Sequence, residues 1–350
     1  MQTRQPNHFD LARFIAALLV MLTHAFALTP RGPHVEPLVY LSGHRTDLGV
    51  VGVAAFFIMS GFLIAGSWER SGRLNDFMRA RLLRILPGLA LALLLCAVVG
   101  AFLTVTPEHY PASAASYVWR NLLMYRGQAD LAGVFASNPY GPVVNGSLWT
   151  LRHEFTCYLL IAALGLVRQL RLPVMLLIWA VACAGVVSGV FDRINMLREL
   201  LPLLAWFMAG ACAYAWRAQV VSRALWLALA ALTLLLIVNG VTLLVIAPLL
   251  AVALIRLLYL PGPLTGFGRY GDFSYGLYIY AFPVQQLLVW LMPLQTPLQN
   301  FLMALPLTLA LAVLSWYLVE RRCLRFKKSR PAPPPAARSM SSIEPGDPVR

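Results

Sequence analysis

Apolar residues run along this chain in blocks of about 20, the length a helix needs to cross the hydrocarbon of a bilayer. Ten such blocks are read, at about 9–29, 48–66, 82–104, 148–167, 172–190, 197–216, 224–239, 241–260, 273–293 and 299–319. Asn239-Gly240 divides the seventh from the eighth inside a run that stays apolar on both sides. Within lipid a helix satisfies all of its own backbone hydrogen bonds, and an open strand does not. The pattern therefore predicts an all-α fold, a polytopic membrane protein with about ten transmembrane helices. One transmembrane domain is expected over 1–325. It includes a long loop at about 105–147 and is followed by a Pro-rich, basic tail at 326–350 of disordered character.

Composition agrees with the pattern. Hydrophobic residues make up 59% of the 350 and charged residues 12%, about half the charged share of a soluble domain. A net charge of +14 raises nucleic acid as a partner. The basic residues, however, cluster in short connections and in the tail, which suits membrane orientation and excludes a nucleic-acid face. With both termini on one side, twenty Lys/Arg fall on that side and seven on the other, counting Arg152 at a span edge and leaving Arg13 inside a span. The bias assigns both termini to the cytoplasm. Ala25-Phe26-Ala27 imitates a signal-peptide cleavage site, but Asp10, Arg13 and His24 do not belong in such an apolar region, so this segment is kept as the first span. Five cysteines without paired spacing predict neither a disulfide framework nor a metal site.

The ionisable residues inside or beside spans carry the chemistry. Arg13 and His24 are eleven residues apart, about 20° beyond three full helical turns and about 16 Å in rise, so they share one face. Asp10, Ala17 and Val20 lie on the same stripe. Charge at this depth is costly and marks either a functional groove or a histidine hydrogen-bonded between helices. Arg79, Arg81 and Arg84 stand in "FMRARLLRILPG" at the start of the third span. Their guanidinium forks suit phosphate oxygens, and a topology signal explains them equally. In "NGSLWTLRHEFTCYLL", His153 and Glu154 form either a base-and-orienter pair or a partner for Arg152, with Tyr158 one turn beyond Glu154. Asp272 and Ser274 suit a helix cap before Tyr275, Tyr278 and Tyr280. The loop at 105–147 holds Tyr110, Tyr117, Trp119, Tyr125 and Tyr140 with Pro and Gly between them, as a packed lid with a stacking surface or as an interfacial belt.

Taken in order, "RFIAALLVMLTH", "FFIMSGFLI", "RARLLRILP", "SLWTLRHEFTCYLL" and "GDFSYGLYIYAFPV" resemble the acyltransferase 3 family of integral-membrane acyltransferases, over nearly all of 9–320. The resemblance implies transfer of an acyl group, usually acetyl from cytoplasmic acetyl-CoA, to a saccharide or lipid-linked glycan acceptor across a bacterial inner membrane, without a metal. It makes His24 and Arg13 the Arg-x10-His pair, with Glu154 the third catalytic residue. It assigns Arg79, Arg81 and Arg84 to CoA, and Tyr158, Trp149, Ser274 and Tyr275 to substrate. Ala281 stands where many relatives have histidine, and His153 stands where they generally do not. A rival reading is a transporter or flippase exporting a glycan or acylated metabolite, since buried ionisable residues also mark transport paths. The acceptor's identity and the oligomeric state are not legible.

Overall fold

A computed structural model describes residues 7–30, 35–124, 126–217, 244 and 247–326. The principal helices are α1 (Phe9–Leu28), α2 (Leu48–Ser71), α3 (Leu74–Leu103), α4 (Tyr110–Leu122), α5 (Trp149–Leu166), α6 (Leu172–Ser188), α7 (Asn195–Ala215), α8 (Ala247–Leu258), α9 (Ser274–Leu291) and α10 (Pro297–Ser315). No strand occurs among the described residues beyond one isolated bridge, Asp130 to Val143. The all-α expectation holds. Five helices are long and apolar enough to cross a membrane: α1, α2, α3, α7, and α10 with its continuation to Leu324. A sixth arises if α8 is joined to Pro263–Arg269, which turns away from it by 91°. Five or six spans are thus shown among the described residues. The expected span at 224–239 lies outside the described residues, as does the tail from 327 onward. α6 has 17 residues, about 26 Å of helix, and α5 carries Arg152, His153 and Glu154 in its first turns.

α2 is the central helix, packed on α1 and α7. Close approach rests on missing side chains, as is usual where small residues let helix backbones meet. A Cβ on Gly61 would collide with the Phe207 carbonyl, and one on Gly210 with the Ile58 carbonyl. Backbone cannot rotate aside as a side chain can, so only glycine serves at this crossing. Around it Phe57, Met59, Phe207 and Met208 are buried.

The helices have two ends. α1, α3 and α9 begin on what we call the basic face, where α2 stops at Gly72 in the left-handed conformation (φ 59°) and the chain turns into α3. On the opposite, loop face, buried Glu36 clasps two helices: Thr23 Oγ1 in α1 donates to Oε2 at 2.6 Å, and the Leu48 N–H at the start of α2 donates to Oε1. Residues 104–148 cover this face as a packed lid. Tyr117 is fully buried, Thr104 Oγ1 donates to the Ala132 carbonyl at 2.7 Å, and Asn138 Nδ2 donates to Gln286 Oε1 in α9 at 2.8 Å. Trp119 and Tyr140 remain exposed. Among the described aromatics of this loop, Tyr110 and Tyr117 are buried in the packing.

Candidate active site

Between α1, α2, α3, α5 and α9 lies a cavity of about 1460 Å³. Its wall brings together eight of the ten residues singled out from sequence: Arg13, Arg79, Arg81, Arg84, Glu154, Tyr158, Ser274 and Tyr275. Arg70 in the last turn of α2, Arg73 in the connecting turn and Asp76 in the first turn of α3 also line it, so the wall reaches the basic face.

A charged network holds one side of the cavity. Asp272 Oδ2 is shared by Arg13 at 3.0 Å and Arg84 at 2.6 Å, while Arg13 also pairs with Asp10 at 2.7 Å. The other Asp272 oxygen accepts from the Ser274 N–H at 3.2 Å and its hydroxyl at 2.5 Å, capping α9 from one residue before its N-cap. Burial pushes the Asp272 carboxyl up, but the charges of Arg84 and Arg13 and the two Ser274 donors outweigh it and hold the pKa at about 2. Arg84 reaches Glu320 as well, at 3.4 Å, and its guanidinium lies over the Tyr275 and Trp316 rings at 5.5 and 5.8 Å. Glu320 is itself held by the Ser315 hydroxyl at 2.9 Å. Arg84 is thus enclosed by carboxylates and aromatic faces, with its charge compensated by the protein.

Arg81, one turn earlier, differs. Its Nη2 makes a long contact, 3.3 Å to Ser67 Oγ, its guanidinium lies 5.9 Å from the Phe77 ring centre, and its Nε is buried without a hydrogen-bond partner among the described residues. A buried donor left unpaired is expensive, and Arg81, which lines the cavity, lacks the close carboxylate partners of Arg84. Arg79 is exposed at the cavity rim.

Deeper in the cavity, Tyr158 donates to Glu154 Oε1 at 2.5 Å and Ser60 Oγ reaches the same oxygen at 3.1 Å. Thr150 and Tyr278 hydroxyls meet at 2.7 Å nearby. His153 does not join Glu154. It is fully buried and faces Glu199 at 3.1 Å together with Arg152, which pairs with the same carboxylate. Two predicted residues stand apart from the cavity wall. His24 lies in the loop-face half of α1, where the Phe282 ring packs edge-on at 5.0 Å and its Nδ1 is buried with no partner. Trp149 lines a second, smaller pocket on the loop face.

The model of the acyltransferase 3 family, an acyltransferase domain, matches residues 7–320. The chain belongs to that family. It is 31% identical over 334 residues to the "O-acetyl transferase" of Shigella phage Sf6, covering 91% of this chain and 96% of that protein. It is 28% identical to "Nodulation protein 10" of Rhizobium leguminosarum bv. viciae, over 92% and 94% of the two chains. "Exopolysaccharide production protein ExoZ" of Rhizobium meliloti is 32% identical over 48% of this chain and 51% of its own length. No solved structure matches. Apolar spanning helices and family together make this a multi-pass membrane acyltransferase.

Sequence reasoning missed Ser60, Glu320 and Phe282. Ser60 had a signal, a hydroxyl inside the apolar run "FFIMSGFLI". Glu320 stands among arginines at the end of a span and gave no hint that its partner lies 236 residues away.

Proposed function

We propose that this protein transfers an acetyl group from cytoplasmic acetyl-CoA to a hydroxyl of a cell-surface saccharide or its lipid-linked precursor. The observation that carries the reading is the single cavity whose rim is arginine and whose depth holds the Glu154–Tyr158 pair. Placing the basic face in the cytoplasm follows the positive-inside bias. Arg79 and Arg81 then hold the donor's phosphates as forked, permanently charged donors. The unpaired Nε of Arg81 fits that use. Arg84 and Arg13 act differently, as positioning residues that lock α1, α3 and α9 through Asp272. Tyr158 and Ser60 hold the Glu154 carboxylate toward the cavity.

His24 is the general base. Its unpartnered Nδ1 accepts the proton of the acceptor hydroxyl as that oxygen bonds to the acyl carbon, and the carbon–sulfur bond breaks. The proton then passes to the departing thiolate, so the imidazole is restored. Because His24 is not on the cavity wall in this conformation, transfer requires a rearrangement that opens its buried Nδ1 to the cavity. A saccharide acceptor is consistent with the names of the phage O-acetyl transferase and of the exopolysaccharide protein among the relatives.

The test is His24→Ala in a strain lacking the wild-type gene, with surface glycan examined by mass spectrometry for acetyl groups and membrane levels of the protein measured in parallel. General-base loss should lower transfer by about 10²- to 10⁴-fold at unchanged protein level. Full acetylation by the variant would overturn the assignment, and a protein that consumes no thioester would instead be a transporter.

A further inference from the structure

The loop face carries a second pocket, of about 110 Å³, that no catalytic assignment above uses. Asn121, Gln128, Asn145, Trp149 and Arg152 line it. Its walls are fastened through amide nitrogens. Asn121 Nδ2 donates to the Tyr117 and Gln128 carbonyls, both at 2.8 Å, and Gln128 Nε2 donates to the Asp130 carbonyl at 2.9 Å. Asn145 Nδ2 ties the pocket to α9 through the Ile279 carbonyl at 2.9 Å. These bonds engage the amide nitrogens with the protein, and Asn145 Oδ1 accepts from the Ser147 N–H at 3.1 Å.

Three further features select the occupant. Trp149 lines the pocket and is 43% exposed overall, and an indole face matches the C–H face of a sugar ring. Arg152 is the only charged lining residue, and Glu199 compensates it. The site therefore offers amide side chains, an indole and an arginine whose charge is compensated, which favours a neutral polyhydroxylated ring over an anionic one. The pocket also borders both halves of the chemistry. Leu151 lines it and the large cavity alike. Gly146, another wall residue, has no side chain because the Phe282 ring occupies that space, and Phe282 is the ring packed on His24.

We propose that the loop-face pocket framed by Asn121, Gln128, Trp149 and Arg152 is the subsite for a neutral pyranose ring of the acceptor. This deepens the acyltransferase reading and rests on it for its role, but binding can be measured without turnover. Full-length protein in nanodiscs is examined by saturation-transfer NMR with methyl glycosides of glucose, galactose, mannose and rhamnose, and with methyl glucuronide. At least one neutral glycoside should show transfer to its ring protons, in the wild type and in His24→Ala alike. Trp149→Ala should cut that signal at least about threefold. So should Gly127→Val, which adds bulk beside Asn121 Oδ1, only 3.3 Å from where a Cβ would stand, without removing a wall contact. Absence of binding to every neutral glycoside, stronger binding of the glucuronide than of all of them, or undiminished signal in both variants would overturn the proposal. None of those results touches the thioester chemistry, which the His24→Ala acetylation assay decides separately.

Discussion

The two ends of the bundle solve opposite problems. At the basic face five charged side chains, Asp10, Arg13, Arg84, Asp272 and Glu320, neutralise one another in a connected network beside a wide cavity. At the loop face the pocket is small, its polar walls are mostly amides, and the single histidine of the Arg-x10-His pair is packed under an aromatic ring. One end is built to hold charge in place while leaving Arg81 uncommitted. The other sets amide side chains beside the Arg152–Glu199 pair. On the reading proposed above, the two ends would serve a phosphorylated donor and a sugar acceptor, which differ chiefly in how much charge each brings.

Removing the shared carboxylate should break the contrast most severely. Asp272→Ala leaves Arg13 without one partner and Arg84 without its shortest contact, and loss of one member of a buried pair costs about 3–5 kcal/mol. The expected result is a large fall in melting temperature and membrane yield, read by thermal unfolding in detergent. A smaller effect should follow Tyr158→Phe, which takes the shortest donor from Glu154 and leaves a buried acceptor under-satisfied at about 1–3 kcal/mol. Here activity per folded molecule is expected to drop more than the melting temperature.

Arg81→Ala sharpens the comparison in the other direction. It should leave the melting temperature close to that of the wild type, since the side chain holds little together. The KM for acetyl-CoA should rise about tenfold, equivalent to about 1.4 kcal/mol of binding. Arg84→Ala should behave as Asp272→Ala does, so equal stability losses at the two arginines would erase the distinction drawn between them.

The smallest effect is a pH dependence. Asp272 titrates at about 2 in the folded protein, below the ordinary aspartate value of about 3.9. A depressed carboxylate contributes stability that is complete above the unfolded value and fades as pH falls toward the folded one. The gap in melting temperature between wild type and Asp272→Asn should therefore stay constant from about pH 8 to 5 and begin to close below about pH 4. A gap that closed near neutral pH would place another group in control of the network.

Much of the site was legible along the chain because its residues break local rules. An arginine and a histidine on one stripe of an apolar helix, or a Glu one turn from a Tyr, are conspicuous without any partner being known. Eight such residues converge on one cavity. Their division of labour was not legible. Arg81 and Arg84 share a motif, a helix and a type, and the local pattern offers both to phosphate. Likewise His153 and Glu154 are adjacent and suggest a pair, yet a helix turns neighbouring side chains about 100° apart, so His153 faces Glu199 while Glu154 faces Tyr158 and Ser60.

By itself the sequence determined the all-α membrane-spanning character, the family and the residues that carry charge into the apolar layer, because hydrophobic period and buried ionisable groups are properties of single segments. Only the tertiary structure decided which arginine is committed and which is free, that Asp272 and Glu320 meet Arg84 across 188 and 236 residues, and that His24 and Trp149 stand outside the main cavity. Those outcomes depend on how helices distant in the chain pack against one another, and on glycines such as Gly61 and Gly210 that set how closely the backbones approach. No local pattern of hydrophobic and polar positions encodes that choice of neighbour.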